Sequence, residues 1–344
     1  MPAQCCHPPL LPLRSCLFYG PVATKPCGHR FCAGCIRGAR DCPICGADIV
    51  KAEPAAELQE QVETYIQAHA ASHTLWELEA TSAGSGANVE EPQVGVDADG
   101  SKVERSRAVF LLALGLRALS AGNIDAAAAR LGQSAAELET QLEEDGGDGL
   151  STAGNTADKR TEMLHLRLGT VYGALGDISR RAGDAPVALQ RYEQSLQQLE
   201  RAGGDAAALD ARAVTVSKLG ELRHLSGDLA AAAEAYHRAL DLRRCALARL
   251  EPTAASSSIG GQADEHMAAI LGVAASLIKL ADVQQSLAQT TASGSKGDGP
   301  APSPAVLLAE AGELLARLKG GTGAGVLSPA LQRKLAAIEQ YVQG

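Results

Sequence analysis

A mainly α-helical chain that opens on a small, thiol-rich module is predicted by three observations. Aromatic residues make up only 3% of the 344 positions, while Ala, Leu, Glu, Gln and Arg are abundant. That balance favours closely packed helices over a β-sandwich core. Eight of the nine cysteines fall within the first 45 residues, and from residue 115 onward a Gly-x6-Gly frame recurs along the chain. The length suits two or three domains.

The N-terminal cluster reads Cys16, Cys27, His29, Cys32, Cys35, Cys42 and Cys45. A zinc ion takes four N or S ligands in a tetrahedron, and a Cys-x2-Cys turn supplies two of them from one tight loop. Here the turns Cys32/Cys35 and Cys42/Cys45 stand only six residues apart. One four-cysteine site built from both would leave Cys16, Cys27 and His29 idle, and the gap is shorter than single-site patterns use. An interleaved pair of sites uses every ligand.

The stretch Pro21-Val22, Pro26-Cys27-Gly28-His29-Arg30-Phe31-Cys32, Cys35-Ile36 and Cys42-Pro43-Ile44-Cys45 resembles the RING finger family. The resemblance implies two zinc ions, the first held by Cys16, Cys32 and Cys35 and the second by Cys27, His29, Cys42 and Cys45. The family's opening cysteine falls on Leu13 here, which cannot bind metal. Cys6 is the leading substitute, with Cys5, His7 or a water as alternatives. Phe31, Ile36 and Val22 are expected to form the small core between the sites. By the same resemblance Pro43, with Ile44, faces a ubiquitin-conjugating enzyme, and such modules act by orienting a charged enzyme, not by covalent chemistry. Two departures weaken that activity: Arg14 and Ser15 precede Cys16 where an apolar residue is usual, and Gly46 follows the last cysteine where a cation is usual.

Residues 1–52 are thus read as the zinc module. After Pro54, placed to begin a helix, Leu58, Val62, Tyr65 and Ile66 recur at helical spacing. This connecting helix, residues 53–80, is expected to pack on the module or the next helix, or else to pair two copies as a dimer. Residues 81–101 are rich in Ser, Gly, Asn and Asp and read as a flexible linker.

Residues 102–344 are repetitive. The frames Gly115/Gly122, Gly176/Gly183 and Gly220/Gly227 are followed by Ala127, Ala188 and Ala232, then by Leu131, Tyr192 and Tyr236. The pattern resembles the tetratricopeptide (TPR) repeat, a helix-turn-helix unit stacked into a solenoid. A fourth first-helix is suggested by Leu280-Ala281-Asp282, and a last helix over 328–342 would cap the array. The 44 residues between the two best copies imply longer helices than usual, as in the kinesin-light-chain-like subgroup. Gly/Ser/Thr-rich insertions at 145–158, 251–262 and 291–304 read as disordered. The concave positions implied by the resemblance are Leu112, Leu116, Ala174, Val214 and Lys218. Only Lys218 could serve a carboxylate clamp, which argues against a heat-shock-protein tail as ligand.

The formal charge of −9 is uneven, since residues 1–50 carry five Lys or Arg against two Asp or Glu. An acidic helical body disfavours nucleic acid as a partner. No secretory signal and no eighteen-residue apolar stretch are read from the sequence, so a reducing, intracellular and cytoplasmic setting without a membrane is expected. No catalytic constellation stands outside the zinc module; His165, His237 and Cys245 lack partners at metal spacing. The leading expectation is a RING-type ubiquitin ligase or ligase subunit, with a conjugating enzyme on the zinc module and a protein or peptide on the repeats. The alternative is a non-enzymatic adaptor or chaperone, because the layout also resembles plant RING/TPR chaperones that support catalase.

Overall fold

The computed structural model describes residues 17–70, 107–147, 156–250, 260–291 and 303–321, together with 331–333, 335–336 and 338–339. Contacts divide the chain into two compact units. The first contains the thiol module, the helices as far as residue 147, and Asp177–Ala182; the second contains the other described helices.

A three-stranded antiparallel sheet forms the thiol module: β1 (Pro21–Lys25), β2 (Arg30–Cys32) and β3 (Lys51–Pro54), in the order β2-β1-β3. Val22 pairs with Phe31 on one side and with Pro54 on the other. The short helix α1 (Ala33–Ile36) follows β2 directly. Phe31 and Ile36 are buried with Cys42, and Val22, Cys27 and Ile49 pack against them, which is the small core the sequence predicts. Pro54 does not begin a helix. It ends β3, an edge strand, where a residue without an amide donor costs no ladder bond. The module therefore runs two residues past position 52, and Ala55 still donates to Pro21 O at 2.8 Å.

Helix α2 (Ala56–Ala70) buries Leu58, Val62 and Ile66, spaced by four. They share one apolar cluster with Phe18 and Cys32 of the module and with Phe110, Leu111, Ala113 and Leu114 of α3 (Arg107–Ser120). The stripe is thus used within the unit, and Tyr65 faces outward. The rest of the expected connecting helix and the 81–101 linker lie outside the described residues.

From α3 onward the helices come in pairs: α3 with α4 (Ile124–Gly147), α5 (Thr156–Arg181) with α6 (Ala185–Arg201), α7 (Ala206–Leu225) with α8 (Leu229–Leu250), and α9 (Gly260–Thr291) with α10 (Pro304–Gly321). In three of them a glycine on the first helix receives the large residue sixteen positions later. A Cβ on Gly115 would stand 2.7 Å from Leu131 Cγ, on Gly176 2.5 Å from Tyr192 Cε1, and on Gly220 3.0 Å from Tyr236 Cε1. The missing side chain is what lets the second helix come so close.

The junctions repeat as closely. Gly183 and Gly227 take φ of +81° and +84°, the left-handed conformation that ends a helix without a Cβ penalty. The Asx residue after each glycine then caps the next helix: Asn123, Asp184 and Asp228 accept from Ala126, Val187 and Ala231 at 3.2, 3.2 and 3.1 Å. Such a cap is worth about 1 kcal/mol. Two serines that the sequence reading passed over add a bond across the pair, Ser134 Oγ to Ala108 O and Ser195 Oγ to Gly169 O, each at 2.7 Å with the serine fully buried.

The fourth pair is complete as well. Ala311 and Leu315 of α10 carry the four-residue spacing of Ala188 and Tyr192, and both are buried in one cluster with Ala281. Leu331 joins that cluster, with Leu335 and Ile338 packed against it. Two expectations change here. Helix α9 holds a stretch, Glu265–Thr290, that is long and apolar enough to cross a membrane by length and composition. Its apolar side chains, among them Leu271, Leu277, Leu280 and Val283, fill the α8–α10 core instead. The predicted insertions are also shorter, since α4 runs to Gly147, α5 starts at Thr156, α9 covers 260–291 and α10 starts at Pro304.

The interlock predicts opposite outcomes for one substitution at two glycines. Gly132, mid-helix with nothing within 4 Å of a Cβ, should gain about 0.5–1 kcal/mol from Gly132→Ala. Gly176→Ala should lose about 1–3 kcal/mol by forcing Tyr192 out of place. Urea unfolding of the two variants beside the parent chain checks both.

Candidate metal centre

The β1–β2 turn and the Cys42–Cys45 loop build the site. Thr24 on β1 donates its amide to His29 O at 2.8 Å, and Gly28 returns to Thr24 O at 2.6 Å. This folds residues 24–29 so that Cys27 and His29 project to the same side. Opposite them, Gly46 donates to Cys42 O and Cys42 to Ala47 O, both at 2.8 Å, which closes the loop carrying Cys42 and Cys45. Gly46 sits at φ +70°, a conformation L side chains rarely adopt.

One ligand atom from each of Cys27, His29, Cys42 and Cys45 lies within 4.8 Å of all the others. His29 Nδ1 is 3.4 Å from Cys42 Sγ. A tetrahedral zinc with Zn–S about 2.3 Å and Zn–N about 2.0 Å spaces its ligand atoms ~3.5–3.8 Å apart, so the four residues fit a metal ion with little adjustment. Three thiolates and an imidazole are the donors zinc selects over hard cations. With all four positions filled by protein, such a centre holds structure and leaves no open position for chemistry.

Thr24 tunes it. The side chain is fully buried, its hydroxyl 3.1 Å from Cys27 Sγ and 3.0 Å from His29 O. The thiol of Cys27 is lowered to about 6, first by the Thr24 hydroxyl and then by the His29 backbone. At neutral pH that favours the thiolate, the form that binds metal. Cys45 behaves otherwise: the Ala47 backbone pulls it down, but desolvation and the adjoining Cys42 and Cys27 outweigh this and raise it. Crowded thiols resist losing all their protons together, and a cation at their centre relieves that resistance.

The remaining sequence candidates divide. Cys32 is buried and accepts from the Tyr19 amide at 3.3 Å; Cys35 is half-buried beside it in the same cluster. Cys16 and Cys6, with Cys5 and His7, lie outside the described residues. Pro43 and Ile44 are exposed at the tip of the second loop, Ile44 by 53%. Lys218 is half-buried with Nζ 5.7 Å from the Tyr192 ring centroid, and Glu221 is paired with Lys279. Of the concave positions, Leu112 and Ala174 are buried and Leu116 is exposed. His165 Nδ1 meets Gln198 Oε1 at 2.8 Å, a contact between helices and not a metal site. Sequence reasoning missed Thr24, whose role shows only once β1 and the 24–29 turn are built.

No family model matches the chain. It is 33% identical over 277 residues to Protein NCA1 from Arabidopsis thaliana, a match covering 79% of this chain and 59% of that protein. The chain therefore spans about three fifths of the length of the curated relative it matches. A match over 79% of the chain cannot miss the paired helices.

Two outcomes follow for the centre. Thr24→Val keeps the shape and removes the hydroxyl; zinc affinity by competition with a chromophoric chelator should fall ~10–100-fold. In the metal-free chain, Cys27 lies below its ordinary 9.0 when folded. The unfolded chain then binds more protons between the two values, so this contribution to stability is complete above pH 9 and fades as pH falls through about 6. Chemical unfolding of metal-free protein across that range, with Cys27→Ser as control, should show the rise with pH vanish in the variant.

Proposed function

We propose that this chain is a non-enzymatic, zinc-stabilised adaptor or chaperone whose TPR-like helical pairs hold a client protein, with catalase as the client to test first. The observation that carries this reading is the 33% identity to Protein NCA1. It is supported by a layout, a RING-like module running through a helix into repeats, similar to that of plant RING/TPR chaperones of catalase. The four-ligand centre supports a structural role for the module, since a filled tetrahedron offers no reactive position. Helical pairs of this kind are the unit from which repeat proteins build partner-binding surfaces.

Ubiquitin ligase activity is the second reading, favoured by the exposed Pro43 and Ile44 on the Cys42–Cys45 loop. Weighing against it is Gly46, the position after the last cysteine, where the left-handed backbone disfavours the cation that active modules carry.

Refolding of denatured catalase with the full-length chain separates the two. On the chaperone reading, recovered catalase activity rises with chain concentration, the two proteins co-purify, and no ubiquitin chains form with a panel of conjugating enzymes. No effect on catalase, together with autoubiquitination that Ile44→Ala abolishes, would reverse the order of the two readings.

A further inference from the structure

In the α7–α8 pair Tyr236 is 3% exposed and lies against Gly220, so its ring belongs to the helical interlock. The hydroxyl at the end of that ring makes no hydrogen bond to any described residue. Phenylalanine would fill the same gap, and a buried polar group left unpaired costs free energy. Burial pushes this phenol well above the ordinary tyrosine range, and the carboxylates of Glu221 on α7 and Asp282 on α9 push it further. The hydroxyl therefore keeps its proton at neutral pH, in the field of two carboxylates that it does not bind.

Those carboxylates are unequally satisfied. Glu221 is paired with Lys279 of α9, whereas the exposed Asp282 carboxylate has no hydrogen bond or ion pair among the described residues. The preceding repeat shows the contrast. Lys218, two positions before Gly220, holds its Nζ 5.7 Å from the centroid of the Tyr192 ring. Lys279, two positions before Ala281 and so at the same place in the frame, is drawn to Glu221, and among the described residues no cation stands over the Tyr236 ring. The phenol oxygen and the Asp282 carboxylate thus offer acceptors for a positive charge that the chain does not supply.

We propose that Tyr236, Asp282 and Glu221 form a receptor site for one basic side chain, the ammonium of a lysine or the guanidinium of an arginine on a client segment. The cation pairs with Asp282 and donates to the Tyr236 oxygen, leaving the phenol proton for a carboxylate. An acidic segment is rejected at this place, because it meets two charges of its own sign. The site rests on the reading of the helical pairs as client-binding units and gives one of them its chemistry.

Fluorescence anisotropy with the full-length chain and two labelled, end-blocked probes of equal length, an Ala/Lys peptide and an Ala/Glu peptide, tests it. The lysine probe should bind and the glutamate probe should not. Asp282→Asn should weaken lysine binding roughly three- to fivefold. Tyr236→Phe keeps the ring in the interlock and should weaken it roughly two- to fivefold, while its urea midpoint matches or exceeds the parent's, since the hydroxyl has no partner to lose. Asp241→Asn removes another exposed carboxylate, on α8, and should leave binding unchanged. Equal weakening by Asp282→Asn and Asp241→Asn means diffuse attraction to an acidic body and overturns the proposal, as does a Tyr236→Phe chain that binds like the parent. The catalase assay separates the site from the wider reading. A parent chain that recovers catalase but binds no lysine probe keeps the chaperone reading and overturns the site; Asp282-dependent binding without any catalase recovery keeps the site and overturns the choice of client.

Discussion

The close approach of paired helices at an absent side chain is the constraint on which the helical body depends. Each large residue, Leu131, Tyr192 or Tyr236, lies where the Cβ of a glycine on the preceding helix would be. Packing so tight specifies register as well as proximity, because sliding by one turn would drive the ring into backbone. Helix α5 extends the principle: Gly169, Gly173 and Gly176 line the face toward α6, with Leu199, Ser195 and Tyr192 opposite them. That close approach also brings Ser195 Oγ within 2.7 Å of Gly169 O. The buried hydroxyls are a consequence of the glycines, since they find partners only at that distance.

The thiol module follows a different logic. Its sheet is too small to sustain a core, and Phe31, Ile36 and Cys42 are nearly all that is buried in its centre. Four donors from two loops converge there, a set that would hold such a module together around a metal ion, beside the backbone link from Val50 to Lys25 O. The strands serve mainly to fix where those loops begin. Its Cys32 end borrows apolar surface from α2 and α3, so one half is organised by ligands and the other by packing on the helical body.

The legible parts of the sequence were those in which a single residue type does one job at a fixed spacing. Cysteine and histidine at ligand spacing led to the Cys27, His29, Cys42 and Cys45 cluster. Glycine at a crossing point led to the three helical pairs. What escaped were contacts made between residues distant in the chain or hidden by insertions. Ser134 meets a carbonyl 26 positions away, and Arg130 meets carbonyls more than a hundred positions away; neither has a local pattern. The pairing of Ala281 with Ala311 and Leu315 was obscured by the long stretch between α9 and α10. Pro54 was read as a helix start because proline serves the first turn of a helix and the end of an edge strand alike. Helix α9 shows the limit of composition: a core helix and a membrane span have the same apolar content, and only the surrounding helices tell them apart.

The arrangement around the module also bears on what its surface can offer. A face that works through transient contact must stay open, yet the segment just after the expected first ligands is committed inward. Phe18 is buried, Leu17 is partly so, and Arg130 holds both of their carbonyls. The Cys42–Cys45 loop faces outward, with Ile44 exposed by 53%. A module whose Leu17–Phe18 end is built into a helical body has given up that part of its surface to attachment. The attachment is made by packing at Phe18 and Cys32 and by the Arg130 guanidinium, and not by the Cys27, His29, Cys42 and Cys45 cluster, so the end of the module that joins the α3–α4 pair is organised independently of its ligand residues.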